Sequence, residues 1–151
     1  VPVGPIEKFP PTTTPDFSTS HPKLHSFLND SITKNRKILM ITTGSVIQME
    51  DWIVKLLWEA FQKLTKDNVS ILWSLKEERQ AFLSDEQLQH PAFHFSTWLP
   101  QPALLASNFI DGVFTHCGWG GTSECLLGGK PVAVLPFFVD QMTNATLLLD
   151  A

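Results

Sequence analysis

The chain has 151 residues, enough for one domain with a sizeable core, and 43% hydrophobic with 17% charged residues excludes a disordered chain. A net charge of −4 argues against nucleic acid as the main partner, because such a partner favours a basic face. It leaves nucleotides open, since a helix N-terminus binds a diphosphate with few basic side chains.

Cys117 and Cys125 are too few for a disulfide framework and match no zinc spacing. They predict a reducing, cytoplasmic setting. No apolar run reaches the length of a membrane span. No signal peptide pattern precedes Val1. Val1 is not Met, and Val1 to Ser20 is rich in Pro, Thr and Ser. Pro2, Pro5, Pro10, Pro11 and Pro15 block helix there, so the segment predicts a linker or an extended entry strand of something longer. His21 to Asn29 predicts a short helix with Pro22 at its first position.

From Lys37 the pattern alternates strand and helix. Lys37 to Thr43 is a continuous apolar run, as a strand covered on both faces requires. Gly44 and Ser45 end it. Glu50 to Thr65 predicts an amphipathic helix with Trp52, Ile53, Leu56, Leu57, Ala60, Phe61 and Leu64 on its core face. Val69 to Leu75 is a second strand and Gln80 to Gln89 a short peripheral helix. Phe93 to Thr97 is a third strand, followed by Trp98-Leu99-Pro100-Gln101. Pro102 to Ser107 is a short helix. Gly112 to Thr115 is a fourth strand, Val132 to Pro136 a fifth, and Gln141 to Leu149 a last helix that the chain's end interrupts.

Between the fourth strand and its helix lie His116, Gly118, Gly120 and Gly121, read as a loop. The helix then carries Thr122, Ser123 and Glu124. A strand, a Gly-rich turn and a helix N-terminus can hold a phosphate, because first-turn N–H groups lack intrahelical partners and the dipole is positive there. The plain alternative is a tight turn with Gly for geometry. Five strand–helix repeats predict an α/β fold: a Rossmann-like parallel sheet with helices on both faces. Ligands bind such sheets outside the carboxyl ends of the strands. Gly44-Ser45, Trp98 to Gln101, His116 to Glu124 and Asp140-Gln141 each follow a strand, which favours a ligand cleft.

These residues carry a family resemblance. Trp98 to Gln101, His116-Cys117-Gly118-Trp119, Glu124, Pro136 and Asp140-Gln141 resemble, in type and spacing, the donor-binding signature of UDP-glycosyltransferases. The plant-type form, which acts on small lipophilic molecules, is the most similar. Val1 to Pro5 and Ile41 to Ser45 extend the likeness over nearly the whole chain. The resemblance implies the C-terminal half of a GT-B glycosyltransferase. Residues 1–20 would be the interdomain linker and residues 21–151 the donor-binding domain, truncated at its end.

It also implies roles. Trp98 would stack on uracil, Gln101 would bind the ribose or base-side groups, Glu124 would bind the ribose, and His116 with Ser45 and the Gly118–Gly121 backbone would bind the diphosphate. Asp140 and Gln141 would hold the sugar hydroxyls, Trp119 would shape the pocket, and Gly44 belongs to the same donor-binding set. Three of them have a plain alternative: a core Trp at a strand end for Trp98, a carboxylate favouring a helix N-terminal turn for Glu124, and an N-cap for Asp140. Gly120-Gly121 departs from the usual Asn-Ser of plant-type members. The implied reaction is inverting transfer of a hexose from a UDP-sugar to an acceptor hydroxyl, with no metal or other cofactor. The acceptor base would belong to a missing N-terminal domain, so no catalytic residue is assigned here. Two further readings are a nucleotide-sugar binding subunit of a split glycosyltransferase and a non-catalytic nucleotide-binding interaction domain.

Overall fold

The computed structural model describes residues 15–44 and 49–149. Ser45 and most of the entry segment lie outside the described residues. The elements in order are α1 (Pro22–Thr33), β1 (Lys37–Thr42), α2 (Asp51–Leu64), β2 (Val69–Ser74), α3 (Glu77–Gln80) and α4 (Asp85–Leu88). Then come β3 (Phe93–Ser96), α5 (Gln101–Ala106), β4 (Gly112–Thr115), α6 (Trp119–Gly128), β5 (Val132–Val134) and α7 (Gln141–Leu149). All strand pairs are parallel, and the sheet order is β3-β2-β1-β4-β5.

Side-chain alternation along the strands builds two cores, one on each face. Ile38 and Met40 of β1 and Leu72 of β2 join Leu24 and Leu28 of α1, Leu104 and Leu105 of α5, and Cys125 of α6. Ile41 of β1, with Ile71 and Trp73 of β2, joins Val54, Leu57, Trp58 and Phe61 of α2. Both faces of β1 are therefore covered, which explains its unbroken apolar run.

Helix α2 is rotated from the face periodicity favoured: Leu57 and Phe61 are buried as expected, but Val54 and Trp58 take the places of Trp52 and Leu56. Trp52 and Leu56 stay 58% and 56% exposed, and the buried stripe is Val54, Leu57, Trp58 and Phe61. The helix is apolar over more than one stripe, so spacing alone leaves its rotation open. Aromatic partners on the sheet decide it. Trp58 stacks on Phe93 with centroids 5.8 Å apart, and Phe61 meets Trp73 and Phe114 edge-on at 5.5 and 5.1 Å.

The helix expected over Gln80 to Gln89 is two short ones, α3 and α4. Ser84 begins the second with a capping box: its hydroxyl accepts from the Gln87 N–H, and the Gln87 side chain accepts from the Ser84 N–H. Helix α6 starts at Trp119, earlier than expected, so Gly120 and Gly121 lie in its first turn and not in a loop. It ends at Gly129, whose left-handed φ of 58° closes the helix.

The rotation of α2 predicts unequal mutational costs. Phe61→Ala should destabilise the fold by about 3–5 kcal/mol. Trp52→Ala should change stability by no more than about 0.5 kcal/mol. Urea unfolding midpoints of the two variants check this, and equal losses would contradict the observed face.

Candidate functional site

The sheet order reverses between β1 and β4, so the loops after these neighbouring strands diverge and leave a crevice at their carboxyl ends. A cleft of about 830 Å³ lies there, a size typical of small-molecule sites. It collects residues from the end of every strand. Thr42, Thr43 and Gly44 follow β1; Ser74, Lys76 and Arg79 follow β2; Trp98 and Gln101 follow β3. His116, Gly118, Trp119, Gly120, Gly121 and Glu124 follow β4, and Asp140 and Gln141 follow β5. Every candidate read from the sequence and described in the structure lines this one cleft; Ser45 lies outside the described residues.

His116 sits at the switch. Its backbone N–H donates to the Thr42 carbonyl at 3.3 Å, joining the β1 and β4 ends. Its ring fills a slot between two glycines. A Cβ on Gly44 or on Gly118 would each lie 2.5 Å from the imidazole Nε2. Gly44 also holds φ +75°, which other residues rarely adopt. Both glycines therefore make room for His116 before they make room for any ligand. Burial holds the imidazole's pKa below its usual value, while the Thr42 carbonyl and the Asp140 carboxylate pull the other way. Its Nδ1 is buried with no hydrogen-bond partner among the described residues.

Beside His116 stands the start of α6. Gly118 is its N-cap and provides no side-chain cap, and the first turn holds no acidic residue. The positive end of the helix dipole therefore meets the cleft with no carboxylate from the helix's own first turn against it. The two Gly in this turn differ. A Cβ on Gly120 would meet nothing within 4 Å, whereas one on Gly121 would lie 3.3 Å from the Thr115 hydroxyl. Glu124 lies in the second turn of α6, half-buried and lining the cleft, so it is not a first-turn carboxylate that serves the dipole.

Trp98 is not a core residue: it is 62% exposed. His21 stacks on its ring with centroids 5.7 Å apart and 23° between planes. The turn beneath it is fixed by the Ser96 hydroxyl, which donates to the Trp98 carbonyl. The Gln101 amide donates to the Thr42 hydroxyl at 3.2 Å, which leaves its carbonyl oxygen for another partner. The Gln141 carbonyl oxygen instead accepts from the N–H groups of Phe137 and Phe138 at 2.8 and 3.2 Å. Asp140 directly precedes α7, and its carboxylate accepts from the Asn144 amide at 2.7 Å. Cys117 is buried and its thiol pKa is raised by burial; that of Cys125 is pushed up to about 12. Neither is a ready nucleophile.

Sequence reasoning missed the residues after β2. Lys76 and Arg79 line the cleft, and their signal was their place after a strand on the same edge as the other candidates. Thr42, Phe138 and Val139 were missed as well.

A doubly covered parallel sheet with a cleft at its switch point defines a Rossmann-like domain. The chain belongs to the UDP-glucoronosyl and UDP-glucosyl transferase family, whose model matches residues 19–150. It is 31% identical to anthocyanidin 3-O-glucosyltransferase 1 of Fragaria ananassa over 98% of this chain and 33% of that protein. It is 28% identical to UDP-glycosyltransferase 76H1 of Stevia rebaudiana over 98% of this chain and 36% of that protein. The chain thus spans about a third of the length of the curated relatives it matches. Among solved structures it resembles a UDP-glucose: anthocyanidin 3-O-glucosyltransferase in complex with UDP (TM-score 0.72, 23% identity, 83% of this chain and 28% of that one). It also resembles Os79 from O. sativa in complex with UDP (TM-score 0.68, 21% identity, 76% and 25%). The fold is that of a GT-B glycosyltransferase, in its C-terminal-type region. No helix among the described residues is long and apolar enough to cross a membrane.

Three partly buried histidines set a pH dependence. Burial lowers the pKa of His90, His94 and His116 from 6.5. Below that value the unfolded chain binds more protons than the folded one, so stability present above pH 6.5 falls as pH drops through the folded-state pKa values. Asp16 and Asp51, lowered from 3.8, act only in a more acidic window. Melting temperatures from pH 7.5 to pH 5 should therefore decline, and His94→Gln should flatten the slope. A melting temperature that rises on acidification would contradict this.

Proposed function

We propose that the cleft binds a UDP-sugar, and that the chain is the donor-binding half of an inverting UDP-glycosyltransferase. The acceptor is a hydroxyl of a small lipophilic molecule, and the sugar is a hexose. The observation that carries the reading is convergence: an exposed Trp, an uncapped helix start with a His beside it, and a carboxylate on that helix all line one cleft. A flat base, a diphosphate and a pair of ribose hydroxyls need that set of partners. Membership of the family and the UDP-bound state of the two solved relatives support it.

The roles follow the geometry. Trp98 takes the uracil on its ring. The carbonyl oxygen of Gln101, left open by its bond to Thr42, and the carboxylate of Glu124 accept from the ribose hydroxyls. The α6 start and His116 face the diphosphate, where charge grows as UDP leaves the anomeric carbon; preorganised donors are worth most at such a point. In the empty cleft burial disfavours the charged form of the His116 imidazole, and an anionic diphosphate beside it would favour that form. Asp140 accepts from sugar hydroxyls. Gln141 offers its amide N–H groups, since its oxygen is already bound to the loop. Residues 1–20 serve as the linker and residues 21–151 as the donor domain. The acceptor base lies outside this chain, so the chain alone binds UDP or a UDP-sugar without transferring the sugar.

Calorimetry on the chain with UDP and with uridine tests this. His116→Ala should weaken UDP roughly tenfold to a hundredfold, as the loss of one hydrogen bond to a charged group predicts, and leave uridine nearly unchanged. Trp98→Ala should weaken both ligands alike, by about 1–3 kcal/mol of stacking. Equal losses of UDP and uridine in His116→Ala would assign that residue to the fold and not to the diphosphate. Glycoside formation by the chain alone, abolished by mutating one of its own His residues, would overturn the placement of the base.

A further inference from the structure

We propose that Asn144 is a positioning residue for the donor: it ties the carboxylate of Asp140 to the turn that carries His116. The sugar end and the phosphate end of the cleft then keep one fixed spacing. This rests on the donor reading above.

Asn144 lies one turn into α7 and is buried. Its side-chain amide has two N–H groups, and both are used. One donates to Asp140 Oδ2 at 2.7 Å, the other to the Cys117 carbonyl at 2.9 Å. Cys117 stands between His116 and Gly118, the N-cap of α6. A single planar amide therefore links the loop after β5 to the turn after β4.

Both segments need such a link. Each contains a non-glycine residue in the left-handed region: Cys117 at φ 63° and Val139 at φ 58°. For a β-branched residue that conformation is unfavourable, and it persists only where surrounding contacts over-determine the chain. Val139 is 78% exposed, so packing does not hold it. The loop is held from its flanks. Gln141 takes the N–H groups of Phe137 and Phe138, and Asn144 takes the Asp140 side chain. Without Asn144 the Asp140 carboxylate would rotate freely, and its distance from the diphosphate turn would vary. Oriented contacts to a polyhydroxylated ring lose strength steeply with such freedom.

The test uses the 151-residue chain and its variants Asn144→Leu and Asn144→Asp. The first removes both donors in a similar volume; the second keeps the shape and replaces the NH₂ with an acceptor. Dissociation constants for UDP and UDP-glucose are measured by calorimetry, with melting curves alongside. The expected result is an about tenfold loss of UDP-glucose affinity relative to UDP in both variants, as for a hydrogen bond to a charged group. Asp140→Ala should cause a similar loss, and adding Asn144→Leu to it should cost little more, because the two residues act as one unit. If Asn144→Leu fails to fold, Asn144→Asp carries the comparison. An unchanged UDP-glucose to UDP ratio in a folded variant would overturn the proposal. So would a parallel loss of both affinities, which is the mark of a merely structural residue. If the parent chain binds no UDP, the donor reading falls and this one with it; intact UDP binding with an unchanged ratio removes this one alone.

Discussion

The site depends on the fit of one imidazole between two glycines. His116 hangs from the end of β4, and its ring occupies the space that a Cβ on Gly44 or Gly118 would need. Gly44 belongs to the loop that follows β1, and Gly118 to the start of α6. Three elements thus meet at one side chain, at the place where the strand order turns. The parallel pairing of β1 with β4, in register from Leu39 with Gly112 to Thr42 with Thr115, brings them there. A shift of that pairing by one residue would turn Thr115 and the strand's other side chains to the opposite face. The turn carrying His116 would be displaced with them.

The scaffold and the cleft edge differ in how they are held. Strands β1 and β2 are buried on both faces, and β2, β3 and β4 carry aromatic contacts with α2. The cleft edge relies on single polar bonds: Gln101 to Thr42, Asn144 to Cys117 and Asp140, Gln141 to the Phe137–Phe138 backbone. These bonds orient side chains that packing leaves partly exposed. Opening of the edge should therefore cost less than opening of the sheet. A ligand that adds contacts across the edge would tighten it.

Much of the architecture was legible in the sequence. Continuous apolar runs such as Lys37 to Thr43 signal strands covered on both faces, and the strand–helix alternation signals a parallel sheet. The placement of candidates after strands predicted one cleft edge, and the described candidates meet there. Other features depend on tertiary partners that spacing does not encode. The rotation of α2 is set by Phe93, Trp73 and Phe114, which lie far along the chain. The break between α3 and α4 was encoded in Ser84 and Gln87 but is short enough to pass for helix. Lys76 and Arg79 resemble an ordinary solvated turn until the sheet places them on the cleft that Trp98 also lines. The use of Gly118 is the subtlest case: sequence suggested room for a ligand, and the structure gives that room to His116 first.

The central claim is that one edge of the sheet receives UDP. The most direct test is an amide chemical-shift titration of the ¹⁵N-labelled chain with UDP. The account predicts saturable shifts at Gly44, Trp98, Gln101, His116, Gly118 to Gly121 and Glu124, together with the Trp98 indole, and little change at the amino ends of the strands, near Lys37 and Val69. Shifts centred on that opposite edge, or none at millimolar UDP, would contradict it.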